Sequence, residues 1–160
     1  RAATRGNEDS LADYTRRFMA DAEAGAARRS LYDGLVMEAE IQAELATAMA
    51  GFDVLLAPTS AVAGLLAGAS YLDGIRIGAD GIGREGEGAG LHLEHYWQAH
   101  MTMPFNICNR VPIVNVPSGM ADCGIPTGVQ IVGHPFADRS VFDVAAAVEL
   151  LRPWAGLAPG

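Results

Sequence analysis

The sequence contains no lysine. Its 11 basic residues are all arginines, they stand against 19 acidic residues, and the formal net charge is −8. Any mechanism that needs a lysine amine as base or nucleophile must therefore take it from outside this chain. The acidic balance also excludes the clustered positive charge that binding to phosphates requires, so we expect no nucleic-acid partner.

Cysteine is also scarce, since only Cys108 and Cys123 are present. Two cysteines are too few for a disulfide scaffold and are typical of buried thiols in a reducing compartment, although a single bridge between them stays an open alternative. The N-terminal residues are polar and lack the apolar stretch of a signal peptide. We therefore expect a cytoplasmic protein.

Charge is absent from residues 54–72, which raises the question of a membrane span. Within this run, Gly64 and Gly68 form the G-x-x-x-G pattern of associating membrane helices. Pro58 and Thr59 interrupt the run, however, and no cluster of basic residues flanks either end. We interpret the run as part of a globular fold and expect no membrane partner.

The spacing of apolar residues and the positions of glycine and proline predict an α/β protein with a single domain over residues 1–160. The expected elements are a polar helical lead-in (1–29), a helix (30–50), a strand (54–57), a glycine-rich loop (73–90), a short helix (91–100), two strands (113–116 and 128–133) and a helix (140–151). The first strand is a continuous apolar run and should be central and covered on both faces. The last helix should bury a stripe formed by Val141, Val144, Val148 and Leu151.

The glycine-rich loop contains Gly81, Gly83 and Gly86 in the G-x-G-x-x-G spacing of dinucleotide-binding loops. No strong strand precedes this motif, and glycines occupy the positions where a helix should begin. A mobile loop, with a possible role as a lid, is therefore the favoured interpretation, and no cofactor is expected.

Three histidines, His92, His95 and His100, lie close together in the sequence. On a helix, the first two would share a face and offer two nitrogens to a metal, but a zinc site needs further ligands. We favour a surface helix and expect no metal. No serine lies in a G-x-S-x-G elbow, and Cys108 lies in an apolar segment, so no nucleophile–base pair is evident and no catalytic residue is assigned.

The most specific pattern lies in the C-terminal third. It reads T-M-P-F-N at 102–106, V-P-I-V-N-V-P-S-G at 111–119 and G-I-P-T-G-V-Q-I-V-G at 124–133. These segments resemble the C-terminal part of the amidase signature family, which typically reads T-x-P-x-N, P-x-x-S-x-P-x-G and G-L-P-x-G-x-Q-x-x-G. The earlier segment F-D-V-L-L-A-P-T at 52–59 is similar to the helix-to-strand segment of that family.

The resemblance implies part of a mixed β-sheet covered by helices, incomplete as a stand-alone domain. Family members hydrolyse carboxylic amides with a serine nucleophile, a second serine in a cis peptide and a lysine base, all in the N-terminal half of the family pattern. This chain has no lysine and no counterpart of that stretch. We therefore expect the C-terminal portion of an amide hydrolase, inactive alone, that supplies sheet strands and one wall of the substrate pocket.

The partners implied by the resemblance are a small-molecule amide and the remaining N-terminal part of the amidase fold, and a homo-oligomer stays open. A protein of another class is the alternative. In that interpretation, the chain is a stand-alone binding or oligomerisation module that reuses the half-fold without catalysis.

Departures from the family pattern are informative. The family often has an acid three residues before the threonine of T-x-P-x-N, where this chain has Ala99. In the glutamine-using subunits of transamidosomes that acid is expected to help bind the amino group of the substrate, so Ala99 argues against that branch. Asn109 replaces a glycine and suits a left-handed turn. Asn115 replaces a serine, and its amide needs a partner, as do the amides of Asn106 and Gln130.

The resemblance also predicts the substrate pocket, because the T-x-P-x-N segment lies near the acyl-binding side of the family's active site. The predicted pocket residues are Met101, Thr102, Met103, Phe105 and Asn106. In an extended segment, positions 101, 103 and 105 would point to one face, and methionine and phenylalanine suit an apolar ligand. The alternative is that these side chains fill the core.

Overall fold

The computed structural model describes residues 4–86 and 89–153. The chain divides into two compact units, Arg1–Glu40 and Ile41–Gly160. The single domain over residues 1–160 stays a prediction. Within the described ranges, no helix has the length and apolar character needed to cross a lipid bilayer.

The first unit contains helix α1 (Asp13–Ala26) and the beginning of helix α2 (Leu31–Ala48), in agreement with the helices expected there. Ser30 is the N-cap that starts α2. Its Oγ accepts the N–H of Asp33 at 3.2 Å, and the Asp33 carboxylate accepts the Ser30 N–H at 2.7 Å. This reciprocal capping satisfies donors that a helix start leaves open. The hydrogen bonds that this carboxylate accepts from the Ser30 N–H and from the Ser30 hydroxyl lower the pKa of the Asp33 carboxyl.

The second unit is built around an antiparallel sheet of strands β1 (Val54–Pro58), β6 (Ile113–Met120) and β7 (Pro126–Gly133), in the order β1-β7-β6. The strands expected at 113–116 and 128–133 are confirmed. Both are longer than expected, and together they form a β-hairpin. Its turn closes where Ala121 donates its N–H to the carbonyl of Ile125 at 2.9 Å.

Helix α4 (Asp138–Leu151) packs on one face of this sheet, as expected. Ile131, Val141 and Ala145 are buried at the contact. Half-buried valines surround them, namely Val54, Val114, Val116, Val144 and Val148. Leu151 was expected to join the stripe, which is wrong. It ends the helix, is 82% exposed, and lies beyond the part of α4 that covers the sheet.

The expectation that β1 is central and covered on both faces is also wrong. Among the described residues β1 is an edge strand that pairs only with β7, and Leu56 is 55% exposed. Its continuous apolar run is the pattern of a strand with neighbours on both sides. The described residues supply a neighbour on one side only.

A second, four-stranded sheet has the order β2-β4-β3-β5 and mixed strand directions. Its strands are β2 (Gly64–Leu65), β3 (Ile75–Ile77), β4 (Ile82–Arg84) and β5 (Leu91–Leu93). Ile75 is fully buried and belongs to a small core with Val62, Tyr71 and Ala99. Helices together with mixed strand directions confirm the α/β class.

The glycine-rich segment 73–90 is therefore not a structureless loop, which corrects the expectation, because it contains β3 and β4. Ile75, Arg76 and Ile77 alternate apolar and polar residues, as in a sheet with one buried face. Asp80 closes the turn between the strands by accepting hydrogen bonds from the Ile82 N–H at 3.1 Å and from the Arg84 guanidinium at 2.7 Å. A role as a lid stays a prediction.

The helix expected at 91–100 is wrong as well, since the segment forms β5 and a 3-10 helix at Tyr96–Ala99. His92 lies on the strand, whereas His95 caps the 3-10 helix and stacks on Trp97 at a ring distance of 4.4 Å. The two side chains therefore do not share a helix face. Among the described residues, no group of three or more potential metal ligands is present.

Candidate functional site

A cleft of about 470 Å³ opens between the two sheets of the second unit. Four stretches of the chain form it: the segment leaving β1 and running into β2, the end of the 3-10 helix, the bulged part of β6, and the start of β7. The lining residues are 58–60, 62–65, 99, 100, 118 and 125–128. The site is thus assembled from parts of the sequence that lie far from one another.

Backbone hydrogen bonds fix the segment after β1 in place. Thr59 donates its N–H to the carbonyl of Gly128 at 3.1 Å and accepts the N–H of Met101 at 3.2 Å. Ala61 donates its N–H to the carbonyl of Ala99 at 3.0 Å. Main-chain hydrogen bonds therefore connect three of the segments that line the cleft. Such bonds do not depend on which side chains these segments carry.

The side chain of Gln130 also connects two of these segments. Its side chain is 1% exposed, and Nε2 donates to the carbonyls of Pro58, at 2.8 Å, and Met101, at 3.1 Å. The expectation that this amide needs partners is confirmed. A buried amide that satisfies two carbonyls from remote segments fixes their separation, because leaving either carbonyl unpaired costs free energy.

Glycine at position 128 leaves room for a polar contact above the sheet. The Thr59 hydroxyl donates to Oδ1 of Asn115, which gives the Asn115 amide the partner it was expected to need. A Cβ atom at Gly128 would lie 2.7 Å from Thr59 Oγ1 and 3.1 Å from Asn115 Oδ1. Only glycine allows this bond to pass directly over β7.

One end of the cleft is apolar. Val62, Leu65 and Ile125 line it, and the last two are 41% and 40% exposed. The wall is continuous there, since a Cβ at Gly64 would lie 2.3 Å from Cδ1 of Ile125. The β2 strand and the tip of the β6–β7 hairpin therefore approach so closely that a side chain at position 64 would displace the end of the Ile125 side chain.

Hydroxyl groups also line the cleft. Ser118 Oγ and Thr127 Oγ1 lie 2.9 Å apart, and Thr127 also donates to the carbonyl of Gly119 at 3.2 Å. Ser60 Oγ donates to the carbonyl of Val62 at 2.9 Å and accepts the Val62 N–H at 3.2 Å. Such a cleft can bind and orient a ligand.

The predicted pocket residues lie beside this cleft in sequence but are not among the described residues that line it. Met103, Phe105 and Asn106 belong to helix α3 (Met103–Cys108), so the expected alternation along an extended segment is wrong. Pro104 stands in the first turn, where proline favours a helix start. Met101, Thr102 and Phe105 are half-buried, whereas Met103 and Asn106 are exposed. Their role in a pocket stays a prediction.

The structure also bears on the expectations for Asn109 and for the two cysteines. Asn109 ends the helix in the left-handed conformation, with φ of 44°, which confirms that asparagine supports the turn of the missing glycine. Cys108 is buried and Cys123 half-buried, and both are free thiols, so the described structure holds no bridge between them.

Sequence reasoning missed residues 60, 62–65, 118 and 125–128 as parts of the site. Thr59 and Gly128 belong to segments that the family resemblance singled out, but only the fold brings these segments together. Ala99 and His100, next to the predicted pocket, do line the cleft, and Ala99 is buried.

No protein-family model matches the chain. Curated relatives are glutamyl-tRNA(Gln) amidotransferase subunits A. That of Dehalococcoides mccartyi strain CBDB1 is 39% identical over 62 residues, and that of Granulibacter bethesdensis is 28% identical over 123 residues. That of Thermosynechococcus vestitus is 28% identical over 148 residues, which is 89% of this chain. The chain spans 12%, 21% and 26% of these three relatives.

Among solved structures, a bacterial aryl acylamidase of the amidase signature enzymes matches 96% of this chain with a TM-score of 0.65 and 21% sequence identity. The match covers 29% of that enzyme. At this identity the likeness concerns the fold alone. The sequence segments at 102–133, the curated relatives and the fold agree: the chain is similar to part of the amidase signature enzymes, consistent with their C-terminal portion.

Proposed function

We propose that the chain is the C-terminal portion of an amide hydrolase and forms one wall of its substrate pocket. The observation that carries this proposal is the cleft itself. It is bounded by three segments that resemble the family pattern, at 52–59, 111–119 and 124–133, and by Ala99 and His100 just before the fourth.

In this proposal the hydrolytic chemistry is supplied elsewhere. The chain has no lysine, so the lysine base of the Ser-Ser-Lys mechanism and its two serines lie outside these residues. What the chain contributes is binding and orientation. The hydroxyl groups and the apolar end of the cleft hold the two ends of an amide in a fixed direction, which reduces the entropic cost of reaching the reactive geometry.

The test compares the 160-residue chain with a complete protein that includes it. Each is incubated with a panel of aryl and aliphatic amides, and serine-directed fluorophosphonate labelling is recorded in parallel. We expect turnover and labelling only with the complete protein, because loss of a whole nucleophile–base unit costs about a million-fold in rate. Turnover by the chain alone that the serine reagent abolishes would overturn the assignment of catalysis to other residues.

A complete protein that hydrolyses no amide, yet binds small ligands in the cleft, would instead favour the binding module. Substitution of a cleft residue gives an internal check. Leu65→Ala should raise KM for amides with long acyl groups about five-fold with little change for acetamides, since it removes apolar contact at one end. The adjacent Leu66→Ala, outside the cleft, is the matched control.

A further inference from the structure

Aspartate followed by glycine occurs three times in the sequence, at Asp33–Gly34, Asp73–Gly74 and Asp80–Gly81. At such a step the backbone nitrogen of the glycine can attack Cγ of the aspartate, because glycine has no Cβ to hinder the approach. The new N–Cγ bond closes a succinimide ring, and the hydroxyl of the protonated carboxyl leaves with the amide proton as water. Water then opens the ring at either carbonyl and gives aspartate or isoaspartate, which have the same mass.

At two of these steps hydrogen bonds hold the carboxylate. Asp33 accepts the Ser30 N–H at 2.7 Å and the Ser30 hydroxyl at 2.8 Å. Asp80 accepts the Ile82 N–H at 3.1 Å and two bonds from the Arg84 guanidinium, at 2.9 and 2.7 Å. These donors lower the pKa of both carboxyls, mainly the Ser30 N–H for Asp33 and the Arg84 guanidinium for Asp80. The protonated carboxyl that ring closure consumes is therefore scarce at both sites, and each side chain is fixed in place.

The carboxylate of Asp73 is not held in this way. Asp73 is exposed, and within residues 4–86 and 89–153 no hydrogen bond or ion pair to its carboxylate is present. The glycine side of the step does not differ. Gly74 (φ 106°) donates its N–H to the Tyr71 carbonyl at 3.1 Å, and Gly81 (φ 74°) donates its N–H to the Gly78 carbonyl at 2.9 Å. The steps at 73 and 80 therefore match at the glycine and differ at the carboxylate.

Asp73 and Gly74 also line an open cavity of about 510 Å³ beside the small sheet. Its other lining residues are Ser70, Glu85, Gly86 and His92, and none of them lines the cleft between the two sheets. Water therefore reaches the place where the ring closes and reopens, and the ring has room to form.

We infer that Asp73 is a site of spontaneous isomerisation to isoaspartate, and that the hydrogen bonds at Asp33 and Asp80 protect the other two steps. Isoaspartate continues the chain through Cγ, so the backbone gains one carbon. The added carbon lies two residues before Ile75, which is fully buried in the core that also contains Ala99. Modification should therefore lower the melting temperature. The reaction uses only this chain and water, so it does not depend on the proposed hydrolase activity.

The test ages a complete protein that includes the chain at pH 6 and about 37 °C for several weeks. Liquid chromatography with electron-transfer fragmentation then measures the isoaspartate fraction at each of the three steps. We expect this fraction to rise at 73 to several times the fraction at 33 and at 80. Absence of isoaspartate at 73, or equal fractions at the three steps, would overturn the inference.

The same ageing in guanidinium chloride measures what the fold contributes. Without the hydrogen bonds of the folded chain, the fractions at 33 and 80 should approach the fraction at 73. If they stay low in the unfolded chain, the local sequence protects these steps and the structural explanation is wrong.

Substitutions isolate the protecting group and the reacting group. Arg84→Gln removes the guanidinium from Asp80 and should raise the isoaspartate fraction at 80 several-fold while the fraction at 73 stays unchanged. Arg139→Gln, at an exposed position of helix α4, is the matched control and should change neither fraction. Asp73→Glu should remove the signal at 73, because its longer side chain disfavours ring closure. An unchanged fraction at 80 in Arg84→Gln would overturn the protection assigned to this guanidinium.

Discussion

Thr59 and Asn115 are 56 residues apart in sequence, yet the Thr59 hydroxyl donates to the Asn115 amide oxygen directly above Gly128. Thr59 directly follows β1 and Asn115 lies on β6, and these two strands do not pair with each other because β7 lies between them. The hydrogen bond therefore crosses a whole strand. It depends on the one residue type that leaves space for it.

Gly128→Ala should lower the free energy of unfolding by about 1–3 kcal/mol, because the added Cβ would lie 2.7 Å from Thr59 Oγ1 and force the contact apart. Urea denaturation provides the measurement. Gly25→Ala is the control, since a Cβ in helix α1 meets nothing within 4 Å, and it should stabilise by up to about 1 kcal/mol. An unchanged unfolding midpoint for Gly128→Ala would show that the crossing bond is dispensable.

Gln130→Met keeps the volume of the side chain but removes both donors to Pro58 and Met101. Two part-buried carbonyls then lose this donor, and we expect a loss of about 1–3 kcal/mol in unfolding free energy. Gln98→Met, which removes one exposed hydrogen bond to the His95 N–H, should cost less than about 1 kcal/mol. Similar losses for both variants would contradict the role assigned to Gln130.

Val148→Asp tests the packing of helix α4 on the sheet. Val148 is half-buried against Ile131 and its neighbours, so an aspartate there places an unpaired charge in the contact, at a cost of about 3 kcal/mol. Ala147→Asp on the exposed side of the same helix should be nearly neutral. If Val148→Asp melts with the parent protein, α4 does not pack as described.

The turn between β3 and β4 gives a pH-dependent signal. The Arg84 guanidinium, by hydrogen bonding, lowers the pKa of the Asp80 carboxyl well below its usual range. A depressed carboxyl pKa stabilises the folded turn above the ordinary pKa of aspartate, near 3.9, and this contribution is lost as the pH falls through the folded value. Carboxyl ¹³C titration by NMR should show Asp80 ionised at pH 3, and Arg84→Gln should move its titration upward. Arg76→Gln on the neighbouring strand is the control, and a shift of equal size there would refute the specific pairing.

The predicted pocket side chains on α3 are tested in a complete enzyme. If Met103 and Phe105 contact an acyl group, Met103→Ala and Phe105→Ala should each raise KM for bulky acyl amides several-fold more than for acetamides, with a small change in melting temperature. The size dependence of KM is the decisive measurement. A loss of stability with unchanged substrate preference would assign these side chains to the core.

The sequence predicted correctly those elements whose defining residues lie close together along the chain. The strands β6 and β7 are bracketed by proline and glycine, and helix α4 has a clear apolar period, so these elements follow from nearby residues. The small sheet was missed because its strands are two or three residues long and lie between glycines. Helix α3 was missed because an X-Pro pair favours extended backbone before the proline, yet Pro104 itself fits a helix start.

Most residues that line the cleft could not be found from the sequence alone. Thr59, Ser118 and Thr127 carry no distinctive signal in the sequence, and their hydroxyls come to line one cleft only in the folded chain. The Thr59 hydroxyl contacts Asn115, which is 56 residues away, and no local pattern predicts such a contact. The segments that carry the family resemblance supply several of the lining residues, whereas the pocket role of the residues at 101–106 stays a prediction.

The outer edge of β6 determines what can be added beside it. Among the described residues this strand pairs only with β7, so its second row of backbone groups is open. Val114 and Val116 point to the face covered by α4, and Asn115 points to the opposite face. A strand that docks here must therefore alternate in the same register, with apolar residues toward α4 and a hydrogen-bonding residue near Asn115. A strand shifted by one residue would place its polar side chains against α4 and its apolar side chains near Asn115.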